Sequence, residues 1–137
     1  MAPDPSGAVV SSNSAMVYVV DDDEGVRESL HAVLESYAIA VEGFASIDEF
    51  IQRYDGRREG CLVLDLHLPR AGGMVVIDWL RRRMRSALPI LVITGHGDKA
   101  TRSAVLAAGA DDFMEKPLDI ERLVSAIQDL SSRRPSP

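Results

Sequence analysis

Asp65 stands in the run Leu62-Val63-Leu64-Asp65-Leu66, where apolar neighbours carry a carboxylate toward a poorly solvated place. A carboxylate there is costly without a partner. Three other stations also close apolar runs: Asp21-Asp22-Asp23-Glu24 after MVYVV, Thr94 at the end of ILVIT, and Lys116-Pro117 after DDFME. Their separations are 43 residues from Asp22 to Asp65, 29 from Asp65 to Thr94 and 22 from Thr94 to Lys116. Brought together at ~4 Å, such carboxylates repel by ~4 kcal/mol per pair at an effective dielectric near 20. They then need a divalent cation, a proton, or a metal together with a lysine. Oxygen ligands favour Mg²⁺ or Mn²⁺ over zinc, and Mg²⁺ held by one or two carboxylates keeps positions open for water and phosphate. A hydroxyl and an ammonium close by can bind the remaining oxygens of a transferring phosphoryl group. The set describes an aspartyl-phosphate site in which Asp is a covalent nucleophile.

The elements that position these residues are legible from periodicity. Strand-like runs occur at 16–20, 39–44, 61–66, 90–94 and, more weakly, 111–116. Three are nearly unbroken apolar stretches, as in strands covered on both faces. Between them lie amphipathic segments. Val26, Leu30, Val33, Leu34 and Tyr37 follow helical spacing. Ser46 with Glu49 makes a capping box before Ile47, Phe50, Ile51 and Tyr54. Val76, Ile77, Leu80 and Met84 mark a third helix. Asp98 caps a short fourth ended by Gly109, and Ile120, Leu123, Val124, Ile127 and Leu130 make a fifth after Asp119. This order predicts an α/β fold: a (βα)₅ doubly wound parallel sheet of flavodoxin-like strand order 2-1-3-4-5. Ligands in such sheets bind beyond the carboxyl ends of the strands, where all four stations fall.

Composition narrows the function. The 137 residues hold 46% hydrophobic and 26% charged side chains, enough for one globular domain. Fifteen basic against twenty-one acidic residues give a net charge of −6, which argues against nucleic-acid binding by this segment itself. No apolar run reaches the ~18 residues of a membrane span. A single cysteine, Cys61, excludes an internal disulfide framework and points to a reducing cytoplasm. Residues 1–15 read as a disordered leader, 16–131 as the domain, and 132–137 as a tail or the start of a linker. Asp23 and Glu24 read as a helix cap, and Arg81-Arg82-Arg83-Met84-Arg85 as a solvated helix end favoured by the helix dipole. Trp79 is expected at the edge of the third helix's stripe. No GxxxxGK[ST] phosphate loop exists in the chain.

In combination the motifs V-V-D-D-D-E (19–24), L-V-L-D-L-H-L-P (62–69), I-T-G-H-G-D (93–98) and F-M-E-K-P (113–117) resemble the CheY-like receiver domain of a two-component response regulator, over residues 16–130. I-T-G-H-G-D with A-G-A-D-D-F (108–113) most resembles the FixJ-like subgroup, whose members commonly carry a C-terminal helix-turn-helix domain. The resemblance implies that Asp65 accepts a phosphoryl group from a sensor histidine kinase. Asp22 and Asp65 then ligate Mg²⁺ directly, Asp21 acts through water, and the backbone carbonyl of His67 completes the protein ligands. It further implies that Thr94 and Lys116 bind the phosphoryl group, that Thr94 and Phe113 form the switch, and that the Lys116–Pro117 bond is cis. The implied output is a homodimer formed on phosphorylation through the fourth helix and fifth strand, controlling transcription through a DNA-binding domain in a longer chain. A stand-alone receiver or phosphorelay intermediate is the alternative.

The chain departs from the family's habits at Gly25, where Pro is frequent, and after Pro69, where Arg70-Ala71 replaces a usual Met at the second place. His67 and His96 lie where side chains border the incoming water. Other readings of the site fare worse. A haloacid-dehalogenase-like phosphatase wants a second Asp where His67 stands, and the acidic loop at 21–24 would repel a flavin phosphate. A pseudo-receiver would not need Asp22, Asp65, Thr94 and Lys116 together. The expected activity is a signalling switch rather than a turnover enzyme.

Overall fold

The computed structural model describes residues 15–56, 59–66, 72–95, 97 and 99–132. Its elements, in chain order, are β1 (Met16–Val20), α1 (Glu24–Ser36), β2 (Val41–Phe44), α2 (Ile47–Arg53) and β3 (Gly60–Asp65), then α3 (Gly72–Asp78) with a wide π turn (Trp79–Arg83). β4 (Ile90–Thr94), α4 (Lys99–Ala108), β5 (Asp112–Glu115) and α5 (Ile120–Ser131) follow. All strand pairs are parallel and the sheet order is β2-β1-β3-β4-β5, as the alternation predicts. The expectations about residues 1–14, His67, Pro69, Arg70, Ala71, His96, Asp98 and the tail from 133 lie outside the described residues.

Every residue of β3 and β4 is buried, which is why these runs lack polar alternation. Successive side chains nonetheless feed two separate cores. Tyr18, Val20, Leu62, Leu64, Ile90, Val92 and Phe113 face α2, α3 and α4 through Phe50, Tyr54, Val76, Ile77, Leu80 and Val105. Val17, Val19, Cys61, Val63, Leu91, Ile93 and Met114 face α1 and α5 through Leu30, Leu34, Leu123, Val124, Ile127 and Leu130. Each large side chain fully buried in this way contributes about 1.5–3 kcal/mol. Gly60 starts β3 at φ 111°, and a Cβ there would fall 2.0 Å from the carbonyl oxygen of Met16. The close pairing of β1 with β3 therefore requires glycine.

The caps follow the expected chemistry. Ser46 Oγ accepts from Glu49 N at 3.2 Å, while Glu49 Oε1 accepts from Ala45 N at 3.4 Å. Asp119 accepts from Arg122 N at 3.3 Å to start α5.

Several expectations need correction. β2 begins at Val41 rather than 39, because Ala38 (φ 61°) and Ile39 are spent closing α1: their N–H groups donate to Glu35 O and Leu34 O. Tyr37, beyond the last turn of α1, is 48% exposed. Ile120 opens α5 at 41% exposure. Met84 closes the π turn through its N–H to Trp79 O, the chain reverses at Arg85 (φ 49°), and the side chain is 38% exposed.

Arg81 is the largest departure. Its Nε donates to Gly109 O at 3.0 Å, one terminal nitrogen to Ser86 O at 2.8 Å and Leu88 O at 2.9 Å, and the other to Asp111 Oδ2 at 2.9 Å. Asp111 Oδ2 also accepts from Ile90 N at 2.8 Å. Arg81 thus clips α3 to the loops that open β4 and β5. Burial lowers its pKa, and the carboxylate of Asp111 opposes that shift. Arg82, Arg83 and Arg85 are exposed, as expected of the basic run.

Candidate functional site

β1 is continued by Asp21, whose N–H donates to Phe44 O at 3.1 Å and whose side chain is fully buried. The chain then turns through Asp22, which is exposed, into Asp23. Asp23 Oδ1 accepts from Gly25 N at 2.8 Å and Val26 N at 3.2 Å, so it is the N-cap of α1, as its place in the sequence predicts. Asp21 Oδ1 accepts from Asp23 N at 2.9 Å, and Arg27 donates to Asp21 O at 2.7 Å. Asp65 is the last residue of β3 and Thr94 the last of β4; both are buried. Lys116, just past β5, donates its backbone N–H to Thr94 O at 2.7 Å, and the Lys116–Pro117 peptide is cis.

These residues meet at the carboxyl rim of the sheet. Carboxylate oxygens of Asp21, Asp22 and Asp65 all lie within 4.8 Å of one another. Lys116 Nζ is 3.7 Å from Asp21 Oδ2 and 3.7 Å from Asp65 Oδ2. Asp21 Oδ2 is buried and has no hydrogen-bond partner. Burial, foremost, raises the pKa of Asp21, and Asp65 and Asp22 add to the rise; the N–H of Asp23 and the ammonium of Lys116 oppose it.

The donor set fits a hard divalent cation. Carboxylate oxygens within that span are close enough to serve one ion, directly or through its water, and the orphaned Asp21 oxygen has a lone pair free to accept from such a water. Lys116, held at 3.7 Å, does not satisfy that oxygen.

Phe113 is buried on β5, opposite Val92 of β4. Its ring lies beneath the loop that follows Thr94: a Cβ added at Gly97 would be 3.0 Å from Phe113 Cε2. Glu115 Oε2 accepts from Gly97 N at 3.3 Å and ties the same loop to β5. Sequence reasoning passed over Glu115 and Arg27. A signal for Arg27 existed: a cation one helical turn past the cap residue Asp23 falls back over the acid loop. His67 and His96 are not among the described residues. Among the described residues no helix is long and apolar enough to cross a membrane.

Comparison with known proteins agrees with this geometry. A family model described as the response regulator receiver domain matches residues 17–128. The response regulator protein TodT of Pseudomonas putida is 34% identical over 119 residues, covering 87% of this chain and 52% of that protein. The transcriptional regulatory protein FixJ of Bradyrhizobium diazoefficiens is 35% identical over 112 residues, covering 82% and 54%. The solved structure of the response regulator StyR superposes with a TM-score of 0.77 at 35% identity, over 85% of this chain and 58% of that one. The chain thus spans about half the length of the curated relatives it matches. Sheet order, acidic rim and relatives have one common explanation: the chain belongs to the response regulator receiver domain family.

Proposed function

We propose that residues 16–131 form a phosphorylation switch that receives its phosphoryl group from the phosphohistidine of a sensor histidine kinase onto Asp65. A carboxylate oxygen of Asp65 forms the new P–O bond as the P–N bond breaks, and the leaving imidazole nitrogen retains the bonding pair. The observation that carries this reading is Lys116 Nζ, set 3.7 Å from both Asp21 and Asp65 beside an unsatisfied carboxylate oxygen. That is a charge arrangement built to be completed by a cation and a phosphoryl group.

Asp22 and Asp65 would hold Mg²⁺ (or Mn²⁺) directly, Asp21 through water, with the carbonyl of His67 as a further ligand. When bound, the cation neutralises charge on the phosphoryl oxygens. Lys116 turns its ammonium to the phosphoryl group, and Thr94 donates its hydroxyl to it. The movement of Thr94 opens space that Phe113 fills, which biases the α4–β5 surface toward an isologous dimer. The output is transcriptional, through a DNA-binding domain of a longer protein in the cytoplasm; the name of FixJ, a transcriptional regulatory protein, supports the transcriptional part of this reading.

Acetyl phosphate with Mg²⁺ should add one base-labile phosphoryl group, seen as about 80 Da in the intact mass. Asp65→Asn should abolish it, and undiminished labelling of that variant would overturn the assignment. Sedimentation velocity at matched concentration then reads the dimer. A monomer with and without phosphodonor would refute the dimer while leaving Asp65 in place.

A further inference from the structure

Arg27 stands outside the acid cluster yet holds the backbone from which two of its members project. Its NH1 donates to Asp21 O at 2.7 Å, and its own N–H donates to Asp23 O at 3.1 Å. One residue therefore grips both ends of the three-residue acid turn. The peptide between Asp21 and Asp22 is planar, so anchoring its oxygen fixes ψ of Asp21 and φ of Asp22 together. Those two angles set the direction in which the exposed carboxylate of Asp22 leaves the chain relative to the buried one of Asp21. No side-chain contact holds the Asp22 carboxylate among the described hydrogen bonds and ion pairs, so its direction depends on the backbone beneath it. The Arg27 stem lies along β2, 3.6 Å from where a Cβ of Gly43 would stand, which braces the guanidinium against the sheet.

We infer that Arg27 is a positioning residue for divalent-cation binding at the Asp21–Asp22–Asp65 cluster, acting through its hydrogen bond to the Asp21 carbonyl. This rests on the reading of that cluster as a cation site. The two effects available to Arg27 have opposite signs. Its positive charge beside the carboxylates repels an incoming cation, so charge removal alone would tighten binding. The hydrogen bond holds the ligands in a productive direction, so its removal loosens binding. Groups that orient metal ligands commonly matter by 10–100-fold in affinity, which exceeds the screened repulsion of a partly exposed guanidinium.

The test is calorimetric titration of Mg²⁺ into the whole chain, at low salt and at about 0.5 M salt, with urea midpoints measured in parallel. Arg27→Met should weaken Mg²⁺ binding about 10-fold at both salts, and Arg27→Lys, which keeps a donor, should recover most of the loss. A lower urea midpoint with unchanged affinity would assign Arg27 a structural role only and overturn the inference. Tighter binding by Arg27→Met would show that charge dominates, and overturns it equally. Should Arg27→Met fail to fold, Arg27→Lys and Arg27→Gln decide: equal affinity for the two refutes positioning through the donor's reach. If the unaltered chain shows no saturable Mg²⁺ binding, the cation-site reading falls and this inference with it.

Discussion

Lys116→Met removes the one ammonium set between Asp21 and Asp65. Each contact at 3.7 Å amounts to about 4.5 kcal/mol at an effective dielectric of 20, and the two buried carboxylates repel each other by roughly 3–4 kcal/mol. Breaking a buried pair costs about 3–5 kcal/mol. Lys116 is 32% exposed, so water screens part of this, and a loss of roughly 2–4 kcal/mol is expected at pH 7.5 without metal. The loss depends on pH in a definite direction. Burial already raises the pKa of Asp21, and without Lys116 it rises further. A raised carboxyl pKa means that the folded state takes up a proton more readily than the unfolded one. Stability therefore falls as pH climbs through the folded pKa, and a mildly acidic medium relieves the variant. Urea unfolding in the presence of a chelator should show a penalty at pH 7.5 that shrinks at pH 5. Added Mg²⁺ should then stabilise the variant more than the parent, because the cation takes the place of the ammonium. An equal penalty at both pH values would refute the electrostatic argument and assign the loss to packing.

Two further outcomes follow from the cores. Arg81→Met removes the guanidinium that Asp111 and three backbone carbonyls share, and should cost about 2–3 kcal/mol in urea unfolding while Asp65 still takes up phosphate; a loss under ~0.5 kcal/mol would refute the clip. Cys61 is fully buried and its thiol is pushed far above the ordinary range by desolvation, so a thiol reagent at pH 8 should label the protein only at the rate of global unfolding, and rapid labelling of the native fold would contradict that burial.

Much of the fold was legible because burial on both faces leaves a simple mark: three apolar runs closing on Asp, Asp and Thr place the rim before any contact is known. Asp21, Asp22, Asp65 and Lys116 could be brought together from topology alone, since parallel strands put every carboxyl end on one side. Arg81 could not. Its sequence context, three arginines at a helix end, is that of a solvated face, and three of its four acceptors are backbone carbonyls, which carry no trace in residue type. Arg27 also holds a carbonyl, and its one trace in the sequence is its place a helical turn past Asp23. The π turn after Asp78 was equally silent, and it set Met84 outside the stripe to which simple periodicity assigned it.

The two cores differ in one respect that governs how this protein can be observed. Of its seven aromatic rings, Tyr18, Phe44, Phe50, Tyr54, Trp79 and Phe113 gather on the face covered by α2, α3 and α4, and Tyr37, just past α1, is about half exposed. Tyr18, Phe50, Tyr54 and Trp79 touch edge to face or stacked at centroid distances of 5.3–6.3 Å. The opposite core, under α1 and α5, is aliphatic apart from sulfur. Tryptophan fluorescence and near-ultraviolet circular dichroism therefore watch one hemisphere of the domain and are blind to the other. A loosening of α5 from the sheet would leave tryptophan fluorescence unchanged. Coincident fluorescence and far-ultraviolet transitions are accordingly a stringent check of two-state unfolding here, since the two signals sample different layers of the molecule.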